Sequence, residues 1–372
     1  MAHLSVSVML SAAAVLMLSG ATAQAQSSYT EADFVRVAKL DAHVHDNVAR
    51  TTFRNVARKD GFELLSINVD YPDFPPLSVQ AQAVEGHHAA DPAHFHFATA
   101  FSMAGFGEPG WTERAIATID AAVAKGAVAV KVWKNIGMVA KDDEGRPIFL
   151  DDPRFDGVIA HLEKIGLPLI AHQGEPKNCW LPLDQMTTDN DRSYFRDHPQ
   201  YYMYLHPEEP GYEMLMAARD RFVAFHPKLS FVGAHMASLE WSVDRLAQFL
   251  DRFPNANVDL AARMTQVQYQ SNADYEKVRA FFVKYQDRLL YGTDIADNPP
   301  EPGAPAQNPP IGDDGLAGEA DHAWRSDWRY LATPLTQRIA DIDAEVKGLA
   351  LPRAVIDKIY YGNARRIFLS RK

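Results

Sequence analysis

Five residues in this sequence pair metal-ligating chemistry with regular placement: His43, His45, His172, His235 and Asp294. In Asp41-Ala42-His43-Val44-His45 two histidines stand at i and i+2, so on an extended strand both imidazoles leave one face and can reach one ion. A lone His-x-His is weak evidence. Here, three further short apolar runs end in a similar group: Leu169-Ile170-Ala171-His172, Phe231-Val232-Gly233-Ala234-His235 and Leu290-Tyr291-Gly292-Thr293-Asp294. Imidazoles and a carboxylate at four converging strand ends are the material for holding a divalent cation and activating water.

Strand alternation sharpens the expectation. His172 shares parity with Ile170, His235 with Gly233 and Phe231, and Asp294 with Gly292 and Leu290, so each polar group should cap a column of barrel-filling side chains. In Ala127-Val128-Ala129-Val130-Lys131-Val132-Trp133, outward-packed valines would aim Lys131 into the same mouth. As a free ammonium it could bind a substrate carboxylate or pair with an acid. Arg263, just past the seventh strand, is a second candidate for gripping a substrate anion, against an equally weighted role in a surface ion pair. Beyond Asp294, the expected strand ends offer no acidic partner, which speaks against paired-carboxylate glycosidase chemistry.

The elements that must position these groups alternate between strand and helix patterns from Lys39 onward, as a parallel sheet requires. Eight strands are expected: Lys39 to His45, Glu63 to Val69, His94 to Phe101, Ala127 to Trp133, Pro168 to His172, Ser230 to His235, Ala256 to Ala261 and Arg288 to Asp294. Helical patterns fall between them, and Pro352 starts a last helix over Ala354 to Leu369. The reading is one (β/α)8 TIM barrel over residues 26–372, a single domain with insertions after strands 5 and 8. The insertions, Gly174 to Gly211 and Asp297 to Trp324, follow strand C-termini, where barrel active sites are built, and are read as substrate-covering loops. Within the first, Glu175, Asn178, Trp180, Tyr204 and His206 are better explained individually by loop packing than by pocket lining. His94 and His96 begin a strand and are excluded from the site with their neighbours His87 and His88. Cys179, with no basic partner in view, is not read as a nucleophile.

The motifs Asp41-Ala42-His43-Val44-His45, His172, His235, Tyr291-Gly292-Thr293-Asp294 and the terminal Tyr361-Gly362-Asn363-Ala364-Arg365-Arg366 resemble the amidohydrolase superfamily, in particular its branch containing aminocarboxymuconate-semialdehyde decarboxylase-like enzymes. The resemblance spans nearly the whole chain past residue 25. It implies a divalent metal, usually zinc, bound by His43, His45, His172 and Asp294, with His235 a second-metal ligand or a hydrogen-bonding catalytic group. It also implies that Asp294 accepts the proton of an attacking water. In some superfamily members a lysine on the fourth strand is carboxylated and bridges two ions, so Lys131 decides between one metal and two. The implied activity is hydrolysis of a small ester, lactone or amide; non-oxidative decarboxylation at the same ligand set is the alternative. Because dimers are common in that family, a homodimer stays open.

Bulk properties bound the rest. A net charge of −11 with no Lys/Arg cluster argues against nucleic-acid partners and leaves a small-molecule substrate. Residues 1–25 combine a short apolar run with Ala21-Thr22-Ala23-Gln24-Ala25, the pattern of a cleaved secretory signal, so a periplasmic or secreted protein without stable membrane insertion is expected. The single cysteine precludes an intrachain disulfide, and the core alone must hold the fold.

Overall fold

The computed structural model describes residues 28–299 and 312–370; the expected signal segment and part of the second insertion lie outside them. Nine parallel strand segments follow one another around a curved sheet: β1 (Lys39–Asp46), β2 (Phe62–Ile67), β3 (Phe95–Ala100), β4 (Ala129–Val132), β5 (Leu169–Ala171), β6 (Phe231–Gly233), β7 (Ala256–Asp259), β8 (Leu289–Leu290) and β9 (Ala296–Asp297). The last two belong to one interrupted eighth barrel strand. Its N-terminal half pairs with β7 and its C-terminal half with β1. Ala42 N–H bonds to the Tyr291 carbonyl, Asp294 N–H to that of His43 and His45 N–H to that of Ile295, which closes the ring. The expected TIM barrel is therefore present, in a single domain.

Inside the barrel, Leu40, Leu65, Ala98, Ala129, Ile170, Val232 and Leu290 pack together, with Ala364, Ile367 and Phe368 of the last helix as a plug. Burying each aliphatic side chain stabilises by roughly 1.5–3 kcal/mol. The alternating partners Val130, Val132, Leu169, Ala171 and Leu289 belong instead to the outer core under the helices. This is the pleat at work, with one face to the lumen and one to the helix layer. The last helix itself runs α-helical over Arg353–Asp357 and then widens into π turns over Lys358–Gly362 and Arg365–Leu369.

Three features depart from expectation. Much of the segment read as a second covering loop is a helix, Asp313–Ala332, whose Trp324 stacks on Phe62 at 4.3 Å between ring centres. Its Leu316, Trp324 and Trp328 form a buried stripe, so the helix supplies outer core where a loop was expected. An antiparallel hairpin, β10 (Thr336–Ile339) with β11 (Ala344–Lys347), follows it. The first insertion holds a helix, Asp189–Asp197, among several short 3-10 turns. Among the described residues, no helix is long and apolar enough to cross a membrane.

Candidate metal centre

The register of β1 slips by one residue between Asp41 and Val44, a bulge that changes which residues face inward. Before it, Leu40 and Ala42 point into the lumen; after it, Val44 joins the outer core and His43 and His45 face the mouth. Asp41 is thereby turned aside. Its carboxylate accepts from Thr293 N–H at 3.0 Å, the Thr293 hydroxyl at 2.7 Å and Trp324 Nε1 at 2.9 Å, tying the first strand to the turn that carries Asp294.

At the mouth, His43 Nε2 and His45 Nε2 lie 3.3 and 3.2 Å from the same Asp294 oxygen, Oδ1. Asp294 has φ 71, a left-handed conformation that aspartate tolerates better than most residues, and it is why β8 and β9 are separated. About a third of its side chain is exposed (32%), so the carboxylate faces the opening. Lys131 also points inward, as its valine neighbours implied, with Nζ 3.3 Å from His43 Nε2. Burial lowers its pKa to about 8 against the opposing pull of Asp259 and Asp294.

His235 arrives by a route that alternation does not describe. Val232 and Ala234 are the lumen-facing residues of that strand, and Phe231 faces the outer core, so the expected parity with Gly233 and Phe231 fails. Instead His235, Met236, Ala237 and Ser238 have φ of 56, 57, 55 and 56°, one turn of left-handed helix that swings the imidazole into the mouth. Such a conformation costs roughly 1–2 kcal/mol per residue. The surroundings hold it: Arg219 and the Tyr212 hydroxyl donate to the carbonyls of Ala237 and Ser238. Ser238 Oγ donates to the Gly174 carbonyl at 2.6 Å. Gly233 permits the turn, since a Cβ there would stand 2.5 Å from the Ala237 Cβ.

Asp259, at the end of β7, is the residue that sequence reading missed. It is 1% exposed, its Oδ2 lies 2.9 Å from His43 Nδ1, and its Oδ1 accepts from the N–H of His235 at 2.7 Å and of Ala261 at 3.2 Å. The statement that Asp294 has no acidic companion at the strand ends is thus overturned. The signal was present: Asp259 shares parity with Ala261 on a strand already recognised, but an interior strand position reads as apolar core by default.

Each imidazole has one nitrogen tied to protein. His43 Nδ1 meets Asp259, His45 Nδ1 the Ile67 carbonyl at 2.7 Å, His235 Nδ1 the Ala261 carbonyl at 2.9 Å and His172 Nε2 the Gly174 carbonyl at 3.1 Å. With the N–H spent on those acceptors, one lone pair per ring is left for the mouth. The His172 Nδ1 is buried with no hydrogen-bond partner at all. Burial depresses the pKa of His43, takes His172 well below its ordinary value and brings His235 to about 3, so these rings are neutral, the form that ligates. The ring centres of His172 and His235 are 4.2 Å apart and those of His43 and His235 4.8 Å apart, which gathers all five expected residues around one opening. An orphaned imidazole nitrogen, lone pairs fixed by outer partners and a carboxylate in reach fit a divalent cation.

Arg263 is also brought to this wall, buried, with Nη1 on the Ala262 carbonyl at 2.7 Å and Nε without a partner. Its charge acts on Glu240 and on both His172 and His235. Of the secondary candidates, Glu175 and His206 line a cavity beside the site, whereas Asn178 bonds Asp191 at 2.8 Å and Trp180 packs on Tyr212. Half of Tyr204 is exposed (50%). His87 and His96 are occupied elsewhere, with Val48 O and Glu63, as their exclusion implied. Burial pushes the Cys179 thiol up, in keeping with an inert residue.

Glu240 offers a test of this buried wall. Its Oε1 accepts from Lys177 N–H at 2.7 Å while Oε2 has no partner, and burial raises its pKa from 4.5 to about 7 despite Arg263. The folded chain therefore keeps a proton that the unfolded chain loses above about pH 4.5, so stability contributed by this group falls as pH rises toward 7. At about 1.4 kcal/mol per unit, the loss is on the order of 3 kcal/mol. Urea unfolding of Glu240→Gln should show the variant gaining that amount on the native chain between pH 5 and pH 8. A difference independent of pH would mean that Glu240 is ionised throughout.

A family model described as Amidohydrolase matches residues 41–369. The structure of an amidohydrolase II is 15% identical, covering 89% of this chain and 99% of its own, with a TM-score of 0.50. An uncharacterized TIM-barrel protein from Bordetella bronchiseptica is 16% identical over 89% of this chain and 98% of its own, with a TM-score of 0.48. A 4-oxalomesaconate hydratase from Rhodopseudomonas palustris is 12% identical over 89% of this chain and 95% of its own, with a TM-score of 0.44. At that identity the likeness to the amidohydrolase II structure speaks to the fold alone. No curated protein matches the sequence.

Proposed function

Because this chain belongs to the amidohydrolase family, we propose that it is a metal-dependent hydrolase of small esters, lactones or amides, with His43, His45, His172 and Asp294 as metal ligands and His235 beside them. The observation that carries this reading is the set of imidazole lone pairs freed by outer hydrogen bonds, together with the orphaned Nδ1 of His172. A divalent cation held there would supply Lewis acidity, which lowers the pKa of water toward neutrality.

The chain's own groups do the rest. Asp294, partly open to the mouth, accepts the proton as the water oxygen bonds to the substrate carbonyl carbon. It returns that proton to the departing oxygen or nitrogen when the old bond breaks, so one water is consumed and no redox partner is needed. His235, fixed through Nδ1 on Ala261, presents Nε2 to the same space for ligation or hydrogen bonding. Lys131 and Arg263 bring positive charge to where a carbonyl oxygen becomes negative. Zinc suits this donor set, although imidazole and carboxylate also accept other first-row ions. Export through the segment 1–25 places the activity outside the cytoplasm in this reading.

The test is elemental analysis of the purified protein, the mass of the peptide containing Lys131, and a panel of esters, lactones and amides with and without chelator. Hydrolysis that disappears with chelator and returns with zinc or manganese is expected. About two metals with a carboxylated Lys131 would make the centre binuclear; about one with an unmodified lysine would make it mononuclear. Carbon dioxide release from an acid with no water added would replace hydrolysis by decarboxylation, and a metal-free active protein would overturn the reading.

A further inference from the structure

A cavity of about 520 Å³ opens beside the metal centre, between the loops after β2 and β4 and the first insertion. Its size suits one small organic molecule. Two of its rings border the site: Phe74 lies 5.1 Å from His45 between ring centres, and Trp133 meets His172 edge-on at 6.1 Å. Tyr71 packs against Trp133 at 4.2 Å, and Met138, Tyr194 and Met203 complete a largely flat-sided, apolar lining.

The charges of this lining are already answered. Lys134 pairs with Glu175, Lys141 with Glu209 at 2.7 Å, and the Tyr201 hydroxyl donates to Asp73 at 2.7 Å. His206 is held through Nε2 by the Pro199 carbonyl at 3.0 Å and faces Glu208 through Nδ1 at 3.4 Å. An anionic substituent placed here would take Lys134 or Lys141 from its carboxylate and leave that acid without a counter-charge, and a cationic one would displace the Tyr201 hydroxyl from Asp73, whereas an aromatic ring would stack without disturbing them.

Resting on the hydrolase reading above, we propose that this cavity binds the non-reacting part of the substrate and that this part is an uncharged aromatic group, placed so that the bond to be cleaved lies at the metal centre. Trp133, Phe74 and Tyr71 are its specificity-determining residues. The cations at the opposite wall, Lys131 and Arg263, are left for the reacting end.

Calorimetry on the full-length, metal-containing protein tests the cavity apart from turnover, with 2-naphthol as probe and saturated decahydro-2-naphthol and naphthalene-2-sulfonate as comparators. The naphthol should bind tightest, and Trp133→Ala and Tyr71→Leu should each weaken it by about tenfold, the scale of a lost aromatic pair. Trp133→Phe, which keeps a ring, should restore most of that loss and guards against misfolding as the cause. Equal or tighter binding of either comparator, or naphthol binding unchanged in both variants, would overturn the assignment. Turnover then separates the two readings. Naphthol binding as stated with no hydrolysis of any 2-naphthyl ester or amide, nor of any ester, lactone or amide of the panel above, would keep the cavity assignment and remove the hydrolase. Equal kcat/KM for ethyl acetate and 2-naphthyl acetate would keep the hydrolase and remove the aromatic specificity.

Discussion

Asp294→Asn is expected to lower kcat by about 10²–10⁴-fold, the range for losing a positioned proton acceptor. The variant isolates the proton step because asparagine has nearly the same shape, keeps an oxygen that can approach His43 and His45, and tolerates the left-handed backbone at φ 71. What it lacks is the capacity to take a proton from water and return it to the leaving group. The measurement is kcat on an ester hydrolysed by the native protein, with metal content determined on the same samples, so that loss of metal and loss of base are separated. Full turnover at normal metal content would show that Asp294 is not the proton acceptor.

Asp259→Ala should cost about 3 kcal/mol of stability or more, because three buried N–H donors lose their acceptor at about 1–3 kcal/mol each. It should also weaken metal binding about 10–100-fold, the usual effect of losing an outer hydrogen-bond partner of a ligating histidine. Both losses have one origin. The carboxylate is buried, and its removal strands His43 Nδ1 together with the N–H groups of His235 and Ala261. His43 is then free to rotate or change tautomer, and the left-handed turn that carries His235 loses an anchor. Asp259→Asn should be milder in stability, because one oxygen remains to accept from the N–H groups of His235 and Ala261, yet still impaired in metal binding because the amide N–H facing His43 Nδ1 forces the ring proton onto Nε2. Urea unfolding and competition with a metallochromic chelator read the two effects. A variant with native stability and native metal affinity would mean that Asp259 does not orient His43.

How much of this site was legible beforehand depended on the kind of signal. The strand-helix alternation and the five polar residues at four strand ends were readable because hydrophobic periodicity is local: Val130 and Val132 facing outward send Lys131 inward, whatever the rest of the chain does. His172 follows Ile170 by the same rule. His235 lies beside the other rings as expected, but by a route that alternation does not describe, since four consecutive left-handed residues abolish it. No local pattern announces that turn. It persists because Tyr212 and Arg219, on the preceding helix, donate to its carbonyls, and its own Ser238 donates to Gly174, 64 residues earlier.

The amino-acid order alone therefore determined the (β/α)8 architecture, the single domain and which histidines and which aspartate gather at the mouth, because period-two alternation and strand-end polarity are written residue by residue. Only the tertiary structure decided that a bulge turns Asp41 away from the metal side toward Trp324, that a helix replaces much of the expected second loop, and that Asp259 holds His43. Each of these rests on a partner more than 200 residues away or on a backbone torsion set by such partners. Long-range hydrogen bonds leave no periodic trace in a single sequence, and they are what converts five candidates into one aligned set of lone pairs.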